Sequence, residues 1–155
     1  MNTYNQEKSK LVNSVFDRVY KKYDLMNDIM SFGVHRIWKK NLVSWMNPQQ
    51  GNKIIDVASG TGDLAKIISQ KNNNQNSIYC IEPNQGMFDT GEKKLRYLKN
   101  IKWHLCPAEK LPFEDDTFDF YTISYGIRNV TDINKCLKEA FRVLKPGGQF
   151  LCLEF

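Results

Sequence analysis

A glycine-containing turn between a predicted strand and a predicted helix constrains the fold more than any other feature of the sequence. The turn is Ser59-Gly60-Thr61-Gly62, preceded by a predicted strand with an apolar centre at 53–58 and followed by helical spacing at 63–70. Glycines there let the backbone approach a ligand, and the helix start supplies N–H groups without intrahelical partners. Glu82 comes twenty residues after Gly62, at the predicted end of the next strand, where a carboxylate can bind ribose hydroxyls. The pattern predicts a βαβ unit that binds a nucleoside.

The rest of the chain after residue 53 continues this alternation of strands and helices. The predicted strands are 53–58, 77–82, 101–106, 118–124 and 149–155, and the predicted helices are 63–70, 84–98 and 132–144. Such alternation predicts an α/β fold with a parallel sheet and right-handed crossovers. A sheet of this kind binds ligands at the carboxyl ends of its strands, which is where the glycine turn lies.

For two of the predicted helices, the sequence also predicts the roles of individual residues. In the helix 132–144, a single face is expected to carry the apolar residues, with Thr131 as the N-terminal cap and Pro146-Gly147-Gly148 as the stop. Gly91 is expected to weaken the helix 84–98. The apolar face consists of Ile133, Leu137, Ala140, Phe141 and Leu144.

Residues 1–50 differ from this pattern. Their apolar residues recur at helical spacing, which predicts helices, including one at 35–46. They hold eight Lys and Arg against four Asp and Glu, and so carry most of the net charge of +5. A solvated basic surface explains this charge, but attraction to anionic lipid or an acidic partner remains an alternative. No motif for nucleic-acid binding is recognised. We therefore divide the chain into a helical segment at 1–50 and an α/β core at 51–155.

Length, hydropathy and cysteine spacing exclude several classes of protein. A chain of 155 residues holds one ordinary domain. It contains neither a signal-peptide pattern nor an apolar run long enough to span a membrane. The four cysteines form no CxxC pair, which argues against the common zinc and dithiol sites and favours a cytoplasmic protein with reduced thiols.

The residues of the turn also discriminate between nucleoside ligands. A dinucleotide fingerprint would place glycines at 58, 60 and 63, but the chain has Ala58, Gly60 and Asp63. A carboxylate at 63 opposes a pyrophosphate on this helix and suits a cationic ligand. S-adenosylmethionine, which carries a sulfonium and an amino group, is therefore favoured over NAD, although a tight turn without any ligand remains an alternative.

Several longer stretches resemble the ubiquinone/menaquinone biosynthesis C-methyltransferases, a family of class I S-adenosylmethionine-dependent enzymes. The most specific are Tyr23-Asp24-Leu25-Met26-Asn27-Asp28 and Ser124-Tyr125-Gly126-Ile127-Arg128-Asn129; Arg142 to Gly148 is common to many methyltransferases. The resemblance covers nearly the whole chain. It implies a Rossmann-like parallel sheet preceded by a helical segment that acts as a substrate lid.

The resemblance also implies an activity and a set of site residues. The activity is methyl transfer from S-adenosylmethionine to a ring carbon of a polyprenylated benzoquinol or demethylmenaquinol. Arg128 corresponds to a residue proposed to drive deprotonation of the substrate through water. Since a guanidinium is a poor base, stabilising a phenolate suits it better, and a plain ion pair with a carboxylate at a sheet end remains an alternative. The implied cofactor residues are Asp56, Gly60, Thr61, Gly62, Glu82, Pro107, Ala108 and Ser124.

The resemblance also suggests substrate residues, and the chain differs from the family's sequence pattern in two respects. Candidates at the substrate are Tyr23, Asp28, His35 and Asn129; His35 is placed between helices. Position 107 is proline where the family usually has Asn or Asp, which removes a side-chain partner for the adenine. Family members also continue beyond the position of Phe155, so the resemblance implies a truncated chain without the final strands. An inactive homologue that binds only cofactor or partner enzymes is therefore an alternative function, and an NAD-dependent oxidoreductase is a weaker one.

The implied substrate also bears on partners and location. A polyprenyl quinol suggests peripheral contact with the inner face of a membrane by a cytoplasmic protein. A homodimer or a complex with other enzymes of quinone synthesis is considered as well. No metal site and no nucleic-acid partner are predicted.

Overall fold

A sheet of five parallel strands forms the centre of the computed structural model, which describes residues 34–154. The strands are β1 (Lys53–Val57), β2 (Ser77–Ile81), β3 (Ile101–His104), β4 (Phe118–Ser124) and β5 (Leu144–Leu153). They lie side by side in the order β3-β2-β1-β4-β5. Because the chain runs outward from β1 first on one side and then on the other, the switch point lies between β1 and β4. The predicted α/β fold with a parallel sheet is confirmed.

Helices cover both faces of this sheet. They are α1 (Val34–Met46), α2 (Asp63–Lys71), α3 (Gln85–Leu95) and α4 (Ile133–Val143), with a short 3-10 helix at Ile127–Asn129. On one face, α1 and α2 bury Leu42, Val43, Leu64 and Ile68 against Ile54 and Ile78. On the other face, α4 buries Cys136, Ala140 and Val143 against Ile55, Tyr121 and Ile123. The strands are therefore apolar on both sides, as expected for a parallel sheet.

The helix α1 belongs to the segment 1–50 by sequence but packs as part of the α/β core. Leu42, Val43 and Met46 are buried in the same apolar cluster as α2. His35 lies in the first turn of α1 and is buried, so its expected position between helices is wrong. The rest of the predicted lid lies outside the described residues.

The helix α4 begins and is oriented differently from the expectation. Asp132 is its N-cap, and the Asp132 side chain accepts a hydrogen bond from the Lys135 amide at 3.1 Å; the predicted cap, Thr131, instead donates its amide to Glu109. The predicted apolar face is also wrong in part, because Ile133 and Leu137 are exposed and Phe141 is 85% exposed. Apolar residues thus occupy two stripes of α4, and only the stripe with Cys136, Ala140 and Val143 faces the sheet.

The strand β5 starts five residues before the predicted start. Leu144 already pairs with Phe118, and Gln149 pairs with Phe120. The partner strand advances two residues over this span while β5 advances five, so residues 145–148 bulge out of the ladder. Pro146-Gly147-Gly148 is therefore a bulge inside the strand, and α4 ends before it at Val143. Gly147 supplies the positive φ of 80° that the bulge contains.

Gly91 strengthens packing where the sequence suggested a weak point. A β-carbon at Gly91 would come within 2.3 Å of the Trp103 ring. The absence of a side chain lets α3 lie directly on this indole, and Phe88 of α3 packs edge-on against the same ring. The glycine is required by close approach of a helix to a strand.

Candidate functional site

The strand ends that face the glycine turn form one level row across the sheet. Val57 pairs with Ile81 on one side and with Ile123 on the other, and Ser124 pairs with Leu153. The residues after these pairs therefore emerge at the same edge. This row contains the predicted site residues Glu82 and Ser124, and it is the carboxyl edge where such sheets bind ligands.

Glu82 joins two loops through its carboxylate. One oxygen, Oε2, accepts the amide of Gly60 at 2.8 Å, and the other, Oε1, accepts the amide of Asn84 at 2.9 Å. Asn84 in turn caps α3 by accepting the Met87 amide. Each carboxylate oxygen has two acceptor positions, so one position on each oxygen is left for a ligand hydroxyl. The sequence singled out Glu82 but gave no sign of this contact with the glycine turn.

The two glycines of the turn are needed for different reasons. Gly60 has a φ of 58°, and the space where its β-carbon would lie is open apart from Met87 Sδ at 4.0 Å. Gly62 has a φ of 83°, and a β-carbon there would lie 2.6 Å from Leu95. Gly60 therefore leaves its outer side accessible to a ligand, whereas Gly62 lets the start of α2 pack on α3.

The start of α2 carries balanced charges. Asp63 lies 2.8 Å from Lys94 Nζ and 3.8 Å from Lys39 Nζ. Burial alone would raise the pKa of Asp63, but the hydrogen bond from Lys94 and the charges of Lys39, Lys94 and Arg36 lower it. Lys94 also lies 3.4 Å from the Thr61 hydroxyl. Because lysines already pair with Asp63, the argument that this carboxylate would attract a cationic ligand does not hold.

Asp56 lies beneath the turn on β1 and is buried. Its Oδ1 accepts the Thr122 hydroxyl of β4 at 2.8 Å, while Oδ2 is buried without a hydrogen-bond partner in the described part of the chain. Burial raises the pKa of Asp56 to about 6, despite the opposing effects of Thr122, Lys39 and Ser59. An orphaned buried carboxylate oxygen next to a turn is the kind of group that a ligand or water satisfies.

Glu82 is also a weaker acid than an exposed glutamate. Burial raises its pKa to about 7, the amides of Asn84 and Gly60 oppose the rise, and the charge of Asp56 adds to it. Two carboxyl groups with raised pKa values thus lie below and beside one turn. Perturbed groups in such a cluster are typical of functional sites.

The loop after β4 is strained where it passes β1. Tyr125 has a φ of 58° and Ala58 a φ of 53°, and neither is a glycine. Such values are uncommon for residues with a β-carbon and cluster at functional sites. The Ser124 hydroxyl is buried and unpartnered among residues 34–154. Burial, together with the charge of Glu154, raises the pKa of Tyr125.

The predicted adenine segment is fixed by a network that the sequence analysis did not find. Pro107 is exposed and Ala108 is buried, and both precede the segment 109–113. Arg142 of α4 donates to the carbonyls of Leu111 and Phe113, and Glu139 accepts the Leu111 amide at 2.8 Å. Glu109 binds the amides of Thr131 and Asp132 at the other end of α4. The network thus anchors the segment that would contact adenine to both ends of one helix.

The predicted catalytic residue, Arg128, pairs with a carboxylate that the sequence analysis did not name. Its Nη1 lies 3.0 Å from Glu154 Oε1, one residue past β5. Asn129 ends the same 3-10 helix and donates its amide to Gly126. The sheet-end ion pair considered as an alternative for Arg128 is therefore present. The substrate candidates Tyr23 and Asp28 lie outside the described residues.

The described residues offer few other reactive groups. The four cysteines are free, and Cys152 is exposed. In residues 34–154, no cluster of three or more His, Cys, Asp or Glu side chains is arranged to hold a metal ion. Within that range no helix has both the length and the apolar character needed to cross a membrane.

Comparison with known sequences identifies the protein's relatives. The sequence profile of the ubiE/COQ5 methyltransferase family matches residues 2–155. A curated relative from Rickettsia bellii, the ubiquinone/menaquinone biosynthesis C-methyltransferase UbiE, is 50% identical over 155 residues, covering 96% of this chain and 62% of that protein. The chain thus spans about three fifths of the length of this relative.

Solved structures share the same architecture. The YcgJ protein of Bacillus subtilis superposes with a TM-score of 0.67 at 24% identity, covering 73% of this chain and 49% of that one. A SAM-dependent methyltransferase from Aquifex aeolicus superposes with a TM-score of 0.59 at 26% identity, covering 63% and 53%. These structures confirm the predicted Rossmann-like fold.

Proposed function

The chain belongs to the ubiE/COQ5 methyltransferase family, and we propose that it transfers a methyl group from S-adenosylmethionine to a ring carbon of a polyprenylated benzoquinol or demethylmenaquinol. The observation that carries the cofactor half of this proposal is the Glu82 carboxylate bound to the Gly60 amide. This contact fixes a hydroxyl-binding group against an open glycine turn. The substrate half rests on the relatives, one of which is named for ubiquinone and menaquinone synthesis.

The residues at the carboxyl edge fit the proposed cofactor. Glu82 has an acceptor position left on each oxygen for the two ribose hydroxyls. Asp56 Oδ2 and Ser124 Oγ, on the strands next to the turn, are buried polar atoms without a partner among residues 34–154. When bound, S-adenosylmethionine supplies a methyl group on a positively charged sulfur. Thr61, Gly62, Pro107 and Ala108 complete the proposed set of cofactor residues.

NAD is the alternative nucleoside ligand, and the turn disfavours it. A pyrophosphate on the start of α2 would approach the Asp63 side chain. Dinucleotide-binding proteins have a small residue at this position of the fingerprint. Lys39 and Lys94 balance the charge of this carboxylate but do not remove its side chain from the helix start. We therefore expect S-adenosylmethionine to bind and NAD not to bind.

On the acceptor side we propose that Arg128 stabilises the negative charge that develops on the quinol oxygen. Its guanidinium is half-exposed, with 52% of the side chain accessible, so a substrate can reach it. Asn129, Tyr23, Asp28 and His35 remain proposed substrate residues; since His35 is buried in α1, it would act only through a neighbour.

A polyprenyl substrate leads us to propose peripheral contact with a membrane through α1. Trp45 is 82% exposed and Ile37 58% exposed on this helix, which contains no acidic residue and carries Arg36 and Lys40. Aromatic and basic side chains together favour an anionic lipid surface. Weaker binding of Trp45→Ser to anionic vesicles would support the contact. The homodimer and the complex with other enzymes remain predictions.

The experiment that tests the main proposal compares ligands and then measures turnover. Calorimetry with S-adenosylmethionine, S-adenosylhomocysteine and NAD should show binding of the first two only. Methyl transfer is then assayed with short-chain benzoquinol and naphthoquinol analogues, which separates the two substrate classes. Binding of NAD alone would overturn the cofactor assignment, and cofactor binding without turnover on either quinol would favour a binding protein.

A further inference from the structure

We propose that Glu154 is the general base of the reaction and takes the proton of the acceptor's ring hydroxyl. This inference rests on the proposed function and extends it to a residue for which neither the sequence analysis nor the resemblance gave a role. Glu154 follows β5 directly, and its Oε1 lies 3.0 Å from Arg128 Nη1. A proton acceptor and a permanent positive charge are thus in contact at one end of the sheet.

The position of Glu154 in the sheet fits an acceptor bound beside the cofactor. Glu82 follows β2 and Glu154 follows β5, and β1 and β4 lie between these strands. Three strand spacings separate β2 from β5, about 14 Å. A ligand whose ribose is held at Glu82 and that extends across β1 and β4 would have its reactive end directed towards Arg128 and Glu154.

The local backbone holds this carboxylate in place. The Tyr125 amide donates to the Leu153 carbonyl at 2.7 Å, which continues the ladder beyond the end of β4. Glu154 therefore emerges beside the strained residue Tyr125, whose φ is 58°. The Glu154 side chain is 21% exposed, so it is both ordered by its surroundings and accessible from the carboxyl edge.

The proposed step balances without any further reactant. The O–H bond of the ring hydroxyl breaks, its proton moves to a Glu154 oxygen, and the electron pair stays on the ring oxygen beside Arg128. The neighbouring ring carbon gains electron density, forms its bond to the methyl group, and the methyl–sulfur bond breaks with its electron pair left on sulfur. Loss of the ring-carbon proton to water restores aromaticity, and Glu154 returns its own proton to solvent.

The first test is turnover of Glu154→Gln in the full-length protein. Glutamine keeps the size of the side chain and an oxygen for Arg128 but is no longer a base. We expect kcat to fall about 100- to 10,000-fold, the usual range for a lost general base, with an unchanged calorimetric affinity for S-adenosylmethionine. Glu114→Gln is the matched control, because Glu114 is an exposed carboxylate away from this edge, and it should retain wild-type turnover.

A second test needs neither cofactor nor turnover. A chromophoric phenol analogue of the quinol reports its own ionisation when bound. If Arg128 and Glu154 both face its hydroxyl, Arg128→Gln raises the pKa of the bound phenol and Glu154→Gln lowers it, because the first removes a positive and the second a negative neighbour. A Glu154 carboxylate that does not face the hydroxyl would not give opposite shifts.

The outcomes separate the two proposals. Wild-type turnover in Glu154→Gln, or equal ionisation of the phenol in both variants, overturns the role of Glu154 and leaves the methyltransferase proposal intact. Failure of the wild-type protein to methylate any quinol overturns both. The expected pair of results, slow turnover with intact cofactor binding and opposite phenol shifts, supports the assignment.

Discussion

The Glu82 carboxylate and the Gly60 amide are 2.8 Å apart, and this one contact ties the end of β2 to the glycine turn after β1. The bond orients Glu82 before any ligand arrives. Since the second oxygen is held in the same way by the Asn84 amide at 2.9 Å, a ribose would meet a pre-organised acceptor and lose little affinity to ordering.

Replacing Glu82 should therefore weaken cofactor binding strongly. Glu82→Ala removes a charged acceptor of two hydroxyls, and we expect a loss of about 1.5–3 kcal/mol, on the order of tenfold to a hundredfold in affinity. Glu82→Gln should also lose affinity, because its amide group would face an N–H donor. Calorimetry with S-adenosylhomocysteine measures both, and Glu92→Gln, an exposed carboxylate on α3, is the control. Equal affinity in wild type and Glu82→Ala would exclude Glu82 from the site.

Cofactor affinity should also depend on pH through the same residue. The pKa of Glu82 is raised to about 7 by burial, and the ionised form is the better acceptor for hydroxyls. Below pH 7 the Glu82 carboxyl has to lose a proton when the ligand binds. The dissociation constant should therefore increase by up to about tenfold for each unit by which the pH falls below 7. Glu82→Gln cannot titrate and should show a flat profile, and a flat profile in the wild type would contradict the assignment.

Asp56 should make the free protein less stable as the pH rises. Burial raises its pKa from 3.8 to about 6, so its contribution to stability is fully present below 3.8 and is lost as the pH rises through 6. The loss amounts to about 3 kcal/mol at 1.36 kcal/mol per pKa unit. Asp56→Asn does not titrate and should gain this amount relative to wild type between pH 4 and pH 7. Urea denaturation at both pH values measures the difference, and a pH-independent difference would show that Asp56 is not protonated in the folded protein.

The parallel α/β sheet, and with it the carboxyl edge where the candidate site lies, could be predicted because the alternation of strands and helices is a local signal. Gly60, Gly62 and Glu82 follow from chain spacing alone, and periodicity located β4 to the residue. The outward stripe of α4 could not be predicted in this way, because Ile133 and Phe141 have the same spacing as a core face. Periodicity reports that a helix is amphipathic but does not distinguish two apolar stripes.

The contacts between residues that are distant along the chain could not be predicted from the sequence either. The pairing of Arg128 with Glu154 joins residues 26 positions apart, and nothing in the spacing of either residue indicates the other. The charge balance at Asp63 depends in the same way on Lys94, 31 positions away. The sequence did not indicate that the charge of Asp63 is balanced by a lysine, as it is in the fold.

Arg142 should act on cofactor binding through the segment that it anchors. Its guanidinium bridges Glu139 and Asp115 and donates to two carbonyls of the loop after Ala108. Arg142→Met removes the donor that these acceptors share, leaving Glu139 with the Leu111 amide, and we expect a loss of about 1–3 kcal/mol in stability together with weaker binding of S-adenosylhomocysteine. Lys138→Met, on the exposed side of the same helix, should change neither quantity. Unchanged ligand affinity in a destabilised Arg142→Met would limit the role of Arg142 to folding.

Gly126 and Ala58 should be coupled by steric contact. A β-carbon on Gly126 would lie 2.4 Å from the Ala58 Cβ, while the φ of −112° at Gly126 is open to any residue. Gly126→Ala therefore fails for lack of space and not for backbone strain, and we expect a destabilisation of about 1–3 kcal/mol from overpacking.

Ala58→Gly offers the matched compensation for that change. It removes the opposing β-carbon and places glycine where φ is 53°, a value that glycine adopts readily. The double variant should therefore recover most of the stability that Gly126→Ala loses, which gives a coupling energy of about 0.5–3 kcal/mol in a double-mutant cycle. Denaturant unfolding of the four proteins measures this energy. Additive effects would mean that the loops after β1 and β4 do not touch at these two residues, and the close packing of the site edge would then need another explanation.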